Sequence, residues 1–145
     1  MDFRLTVVTL GVDDLKRARA FYEQGLGLQA RDEDCEAIAF YRCGPAVLAL
    51  YPRHLLAEDA TLPPSRLAAP GSFDGVTLAC NCASREEVDA LLSRAAGAGA
   101  RIAKPAQETF WGGYSGYFED PDGHLWEAVW APMFLPLDEK GGITL

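Results

Sequence analysis

Few side chains in this sequence can carry chemistry. There are two histidines, His54 and His124, and four cysteines, Cys35, Cys43, Cys80 and Cys82. A borderline divalent metal generally draws on imidazole and carboxylate together. His124 lies three residues before Glu127 in an apolar, strand-like run. An odd separation sends two side chains to opposite faces of a strand, so this pair cannot share an ion without a bulge between them. Cys80-Asn81-Cys82 stands in another strand-like run, no second cysteine pair exists, and a structural zinc takes four ligands. All four cysteines are therefore read as small buried hydrophobes in a chain without a secretion signal. Ser115 has no histidine or base beside it in sequence, which leaves a nucleophilic role unsupported.

Phe110, Trp111, Tyr114 and Tyr117 bring four rings close together in sequence. Such rings, near a carboxylate in an acidic protein, suit a planar or cationic guest, although core or interface packing explains any one ring more simply. Gly112 and Gly113 point to a loop able to move. Asp120 and Asp122 read as turn residues.

The elements that must position these groups form a repeat. Residues 5 to 12 are β-branched and apolar enough for a strand, and Asp13 or Asp14 supplies an N-cap. Leu15, Ala18, Phe21 and Tyr22 recur at helical spacing through Asp14 to Gln24, and Gly25 and Gly27 end the pattern. Strands are expected at Leu28 to Asp32, Glu36 to Cys43 and Ala46 to Tyr51, the last two joined at Gly44-Pro45. Residues 53 to 74, rich in proline, read as a linker with a short helical pattern at His54 to Ala60. The order then repeats. A strand at Gly75 to Cys82 leads into Ser84-Arg85-Glu86-Glu87, a capping box that opens a helix with Val88, Leu91, Leu92 and Ala95 on one side. After Gly97 and Gly99, a strand at Arg101 to Ala106 and the aromatic loop precede a hairpin from Tyr114 to Trp130. Its turn, Asp120-Pro121-Asp122-Gly123, suits a type I turn closing into a bulged hairpin.

Two βαβββ units in one chain predict an α+β fold with an internal pseudo-twofold and a ligand cleft. We read 1–145 as one domain: module one at 1–52, linker 53–74, module two at 75–132 and a tail at 133–145. A chain of 145 residues can bury roughly 68–70% of its unfolded surface, enough for a real core. The net charge of −8 repels phosphate backbones and anionic headgroups, so neither nucleic acid nor a membrane is expected as a partner. No apolar run approaches the length of a membrane span and no signal segment opens the chain, which predicts a cytoplasmic protein.

Two stretches add a family resemblance. Val8-Thr9-Leu10-Gly11-Val12-Asp13-Asp14-Leu15, with Ala20-Phe21-Tyr22 and Leu26-Gly27-Leu28, resembles the first strand and helix of the vicinal oxygen chelate superfamily, which includes glyoxalases, bleomycin-resistance proteins and extradiol dioxygenases. Gly116-Tyr117-Phe118-Glu119-Asp120-Pro121-Asp122-Gly123-His124-Leu125-Trp126-Glu127 resembles its closing hairpin. With the repeat order, the similarity spans roughly residues 5 to 132. It implies paired βαβββ modules forming a cupped mixed sheet around a small-molecule cavity, commonly in a homodimer.

Enzymes of this superfamily usually hold one divalent metal, acting as a Lewis acid on two neighbouring substrate oxygens. Carried across by resemblance, the four ligand slots fall on Val7, Ala49, Thr77 and Glu127, and only Glu127 keeps a ligand-type side chain. The resemblance thus implies a retained cavity with no metal. Val7, Ala49 and Thr77 are expected to line it, with Trp111, Tyr114 and Tyr117 at its rim. Glu127 should share a strand face with Leu125 and Val129, while Trp126, Ala128 and Trp130 face the helices. Buried there, it would have a raised pKa and serve as a general base or a counter-charge; equally, it is a leftover of the fold satisfied by a hydroxyl or an indole.

Three functions fit. The first is metal-free binding of a small aromatic or cationic molecule, as in bleomycin-resistance proteins. The second is a metal-dependent glyoxalase-like lyase or extradiol-type dioxygenase, with one divalent ion as cofactor. The third is a metal-independent enzyme with Glu127 as base.

Overall fold

The computed structural model describes residues 4–31, 36–69 and 71–143. The chain divides between Ser72 and Phe73 into two compact units, each a small sheet with a helix on one face. The fold is α+β, with sheets of three and four strands. No helix among the described residues is long and apolar enough to cross a membrane.

In the first unit, β1 (Val7–Val12) leads through the N-cap Asp14, whose carboxylate accepts from the Arg17 N–H, into α1 (Leu15–Arg19). The helix does not run regularly to Gln24 as its spacing suggests. From Ala20 to Gly25 it widens into a π-type turn, and the Leu26 and Leu28 N–H groups reach back to the carbonyls of Phe21 and Tyr22. β2 (Ala39–Cys43) and β3 (Ala46–Pro52) form a hairpin across Gly44-Pro45, with Gly44 at φ 61°. β1 pairs parallel to β3, giving the order β1-β3-β2.

The strand expected from Leu28 to Asp32 reduces to a single bridge between Ala30 and Tyr41. Leu28 is still tied to the end of the helix through its N–H, leaving little chain free to pair. Asp32 and Cys35 lie outside the described residues. The linker sequence opens with α2 (Arg53–Asp59), and His54 is exposed on it.

Register fixes the faces. Leu10, Val12, Tyr41, Leu48 and Leu50 are buried toward α1, where the Tyr41 hydroxyl donates to Glu23 Oε1 at 2.9 Å. Burial, reinforced by the Glu23 carboxylate, raises the Tyr41 pKa well above the ordinary tyrosine value.

In the second unit, β4 (Leu78–Asn81) is shorter than expected and lies at the sheet edge, which leaves Cys80 exposed rather than buried; Cys82, just past it, is buried. The capping box is formed: Ser84 accepts from the Glu87 N–H, and Glu87 reaches back to accept from the Ala83 N–H at 2.7 Å. It opens α3 (Arg85–Gly97), followed by β5 (Arg101–Glu108), β6 (Tyr114–Glu119) and β7 (Leu125–Trp130). The order is β4-β7-β6-β5, with β4 parallel to β7. The first strand thus pairs parallel to the last in both units. At the β6–β7 turn the Gly123 N–H donates to the Asp120 carbonyl and Gly123 has φ 86°, the expected type I turn with a left-handed glycine. The Asp120 side chain accepts from the Asp122 and His124 N–H groups, the turn role expected of it.

Candidate ligand pocket

α3 packs on one face of the second sheet because β6 makes room for it. A Cβ on Gly116 would stand 2.6 Å from Leu92 Cδ1 and 2.9 Å from the backbone of Lys104 and Ala106. The Phe118 and Trp126 rings stack on this face at 6.3 Å, and Ala128 lies opposite Gly116. Trp126, Ala128 and Trp130 therefore turn toward the helix, as alternation predicts.

The opposite face carries Glu127. Pairing aligns it with Tyr117 on β6 and with Ala79 on β4, while Val129 lies opposite Ser115 and Asn81. Tyr117 faces Glu127, and desolvation first, with the Glu127 carboxylate second, raises the tyrosine's pKa. The Lys104 ammonium sits 5.8 Å from the Tyr117 ring centroid. Glu127 is half-buried rather than enclosed. It lines a cavity of about 450 Å³ with Ala79, Asn81, Val129 and Ala131 from the sheet, Trp111 from the loop, and Met133, Phe134 and Ile143 from the C-terminal segment.

Two local devices bring the outer residues in. Hydrogen bonds close the Trp111 loop: the Thr109 N–H donates to the Gly113 carbonyl and the Gly113 N–H to the Thr109 hydroxyl, at 2.8–2.9 Å. A Cβ on Gly113 would fall 1.9 Å from the Trp111 ring, so this glycine serves close approach. In the tail, Asp138 accepts from the Lys140 and Gly142 N–H groups, which holds its carboxyl below the usual range and closes the turn that carries Ile143.

The four rings expected to cluster do not. Phe110 is fully exposed. Tyr114 lies on the helix face, three residues from Tyr117 and hence on the opposite side; its hydroxyl donates to Asp89 Oδ1 at 2.9 Å. Arg85 covers the Tyr114 and Trp130 rings, 5.7 and 4.9 Å from their centroids, and pairs with Glu108. Thr77 is exposed just before β4, and its hydroxyl donates to the Leu125 carbonyl at 3.3 Å. In the first unit Val7 pairs with Val47 and the fully buried Ala49 with Thr9, on the face away from α1. Asn81, Met133, Phe134 and Ile143 went unremarked in the sequence. Asn81 was findable, two residues beyond the partner of Glu127; the tail residues have no periodicity to betray them.

A family model, the Glyoxalase/Bleomycin resistance protein/Dioxygenase superfamily, matches residues 4–128. The chain belongs to this superfamily. Among solved structures it is similar to a glyoxalase-related enzyme from Fulvimarina pelagi, at 32% identity and TM-score 0.85, covering 98% of this chain and 97% of that one. A lactoylglutathione lyase from Agrobacterium tumefaciens shares the fold at 24% identity and TM-score 0.69, covering 93% and 98%. TioX from Micromonospora sp. ML1 does so at 22% identity and TM-score 0.62, covering 88% and 98%. No curated protein matches the chain.

The superfamily's metal does not fit the donors at the four slots. Valine and alanine have no lone pair to offer, and the Thr77 hydroxyl is engaged with Leu125. Glu127 remains as a single carboxylate, where a catalytic zinc takes three protein ligands. Among the described residues no three His, Cys, Asp or Glu side chains group as a metal site.

Proposed function

We propose that the protein binds a small aromatic or cationic molecule in the Glu127 pocket without a metal. One observation carries this reading. Among the described residues lining the cavity of about 450 Å³, Glu127 is the only ionisable one, and its neighbours are mostly apolar or aromatic. A carboxylate in such surroundings favours a protonated amine, and Trp111 offers a face to a flat ring or a cation. Tyr117 stands directly opposite the carboxylate on the neighbouring strand. We read the working form as a cytoplasmic homodimer, the arrangement common in this superfamily.

The pairing of Tyr117 with Glu127 on one sheet face supports a second reading, a metal-independent enzyme in which Glu127 takes a proton from the bound molecule. Replacing Glu127 with Gln separates the two. Loss of affinity marks a counter-charge; loss of turnover with affinity intact marks a base. A metal-dependent lyase or dioxygenase requires one tightly bound Ni, Zn, Fe or Mn per chain, which metal analysis of the purified protein tests directly.

A further inference from the structure

Cys80-Asn81-Cys82 runs from the edge strand β4 toward the capping box of α3, and its two thiols take no part in the reading above. Pairing sets Cys80 opposite Ala128 and Asn81 opposite Val129, so Cys80 lies on the helix face and Asn81 on the face of the Glu127 pocket. The ladder continues one residue past β4, because the Cys82 N–H donates to the Val129 carbonyl at 2.7 Å. Cys82 is therefore two residues along extended chain from Cys80, and alternation puts both on one face. Its thiol turns back toward Cys80, with Sγ 3.8 Å from the Cys80 carbonyl oxygen. Two extended residues separate Cα atoms by about 6.4–6.8 Å, at the upper end of what a disulfide spans.

The two thiols differ in their surroundings. Cys80 is exposed at the sheet edge, whereas Cys82 is buried. The Cys82 thiol is the largest influence on Cys80 and lowers its pKa to about 7, against desolvation and the Glu87 carboxylate, which raise it. Cys82 is pushed the other way, first by Cys80 and then by burial. At neutral pH Cys80 thus carries much of its sulfur as thiolate, the form that attacks. Among the described residues no third His, Cys, Asp or Glu groups with the pair, which falls short of the four ligands of a structural zinc. An exposed, ionised thiol beside a resolving cysteine suits oxidation instead.

We propose that Cys80 and Cys82 form a dithiol modification site that a hydroperoxide oxidises to a reversible disulfide. The Cys80 sulfur attacks the terminal peroxide oxygen, the O–O bond breaks and an alcohol, or water from hydrogen peroxide, leaves with a proton. The Cys82 sulfur then attacks the resulting Cys80 sulfenic acid, the S–O bond breaks and water leaves. Two thiols are oxidised by two electrons, and the peroxide is reduced by two. Both sulfurs lie on the helix face, so this site stands or falls separately from the Glu127 pocket.

Peptide mapping of the full chain tests it. The protein is reduced, freed of reductant, treated with stoichiometric hydrogen peroxide near neutral pH, alkylated and cut with trypsin. The peptide of residues 67–85 holds Cys80 and Cys82 and neither of the other cysteines. It is expected to escape alkylation and to be lighter by two hydrogens, and dithiothreitol restores it. Cys82→Ser stops at the Cys80 sulfenic acid, trapped as its dimedone adduct, and Cys80→Ser gives no adduct in this peptide. The wild-type map decides the matter even where a variant fails to fold. A 67–85 peptide that stays reduced, that carries a Cys80 sulfinic acid without the disulfide, or that is bridged to another cysteine overturns the proposal. Dimedone labelling that persists in Cys80→Ser overturns it as well.

Discussion

Tyr117 and Glu127 stand directly opposite one another on β6 and β7, and the carboxylate helps to raise the tyrosine's pKa. An ionised carboxylate accepts at both oxygens, so Glu127 can receive a hydrogen bond from a guest. Glu127→Gln keeps the shape but removes the charge, so affinity for an aromatic amine falls by about ten- to a hundredfold, the worth of one charged hydrogen bond. Tyr117→Phe keeps the charge and changes affinity far less. Equal losses in both variants, read by calorimetry, would show that packing rather than charge holds the guest.

Trp111 is set over Gly113 at a distance no side chain there permits. Gly113→Ala must therefore swing the indole out of the pocket. Amine affinity drops and the urea midpoint falls with it, because the added Cβ would also stand 2.8 Å from the Trp130 carbonyl. A tryptophan emission spectrum unchanged by the substitution would contradict this placement.

Gly116 admits Leu92 to the surface of β6, and two of the three atoms a Cβ would meet are backbone. Gly116→Ala is expected to destabilise the chain by about 1–3 kcal/mol through overpacking. In urea unfolding the midpoint falls with the slope unchanged.

Tyr41 gives a pH signature. Its folded pKa is raised above the ordinary 10.0 by burial and by Glu23. Above that value the unfolded chain releases a proton that the folded one keeps, so stability is fully present below about pH 10 and declines as pH rises. Tyr41→Phe costs about 1–2 kcal/mol at neutral pH, from the lost bond to Glu23, and flattens the alkaline decline. Midpoints measured from pH 8 to 11 check both effects.

The repeat was legible because its signals are local. Asp14 and Ser84 cap their helices through N–H groups three residues away, and Gly123 closes its turn with Asp120. Alternation also placed Glu127 and Trp126 on the correct opposite faces. The same rule, applied to residues 114 and 117, already separates Tyr114 from Tyr117; proximity in sequence suggested a cluster that the pleat forbids. Cys80 read as buried because its run is apolar, yet whether a strand lies at a sheet's edge depends on pairing with distant β7. The π-type turn and the missing strand at Leu28 follow from hydrogen bonds back to Phe21 and Tyr22 that spacing does not reveal. The pocket's outer wall comes from Met133, Phe134 and Ile143, held by short-range turns without period.

The central claim is that a lone carboxylate, with no metal, selects the guest. Calorimetric titration of chelator-treated wild type and Glu127→Gln with 2-naphthylmethylamine tests it most directly. The account predicts that metal-stripped wild type binds and that Glu127→Gln binds about tenfold or more weakly. Binding that appears only when a divalent ion is restored, or that is indifferent to Glu127→Gln, would contradict it.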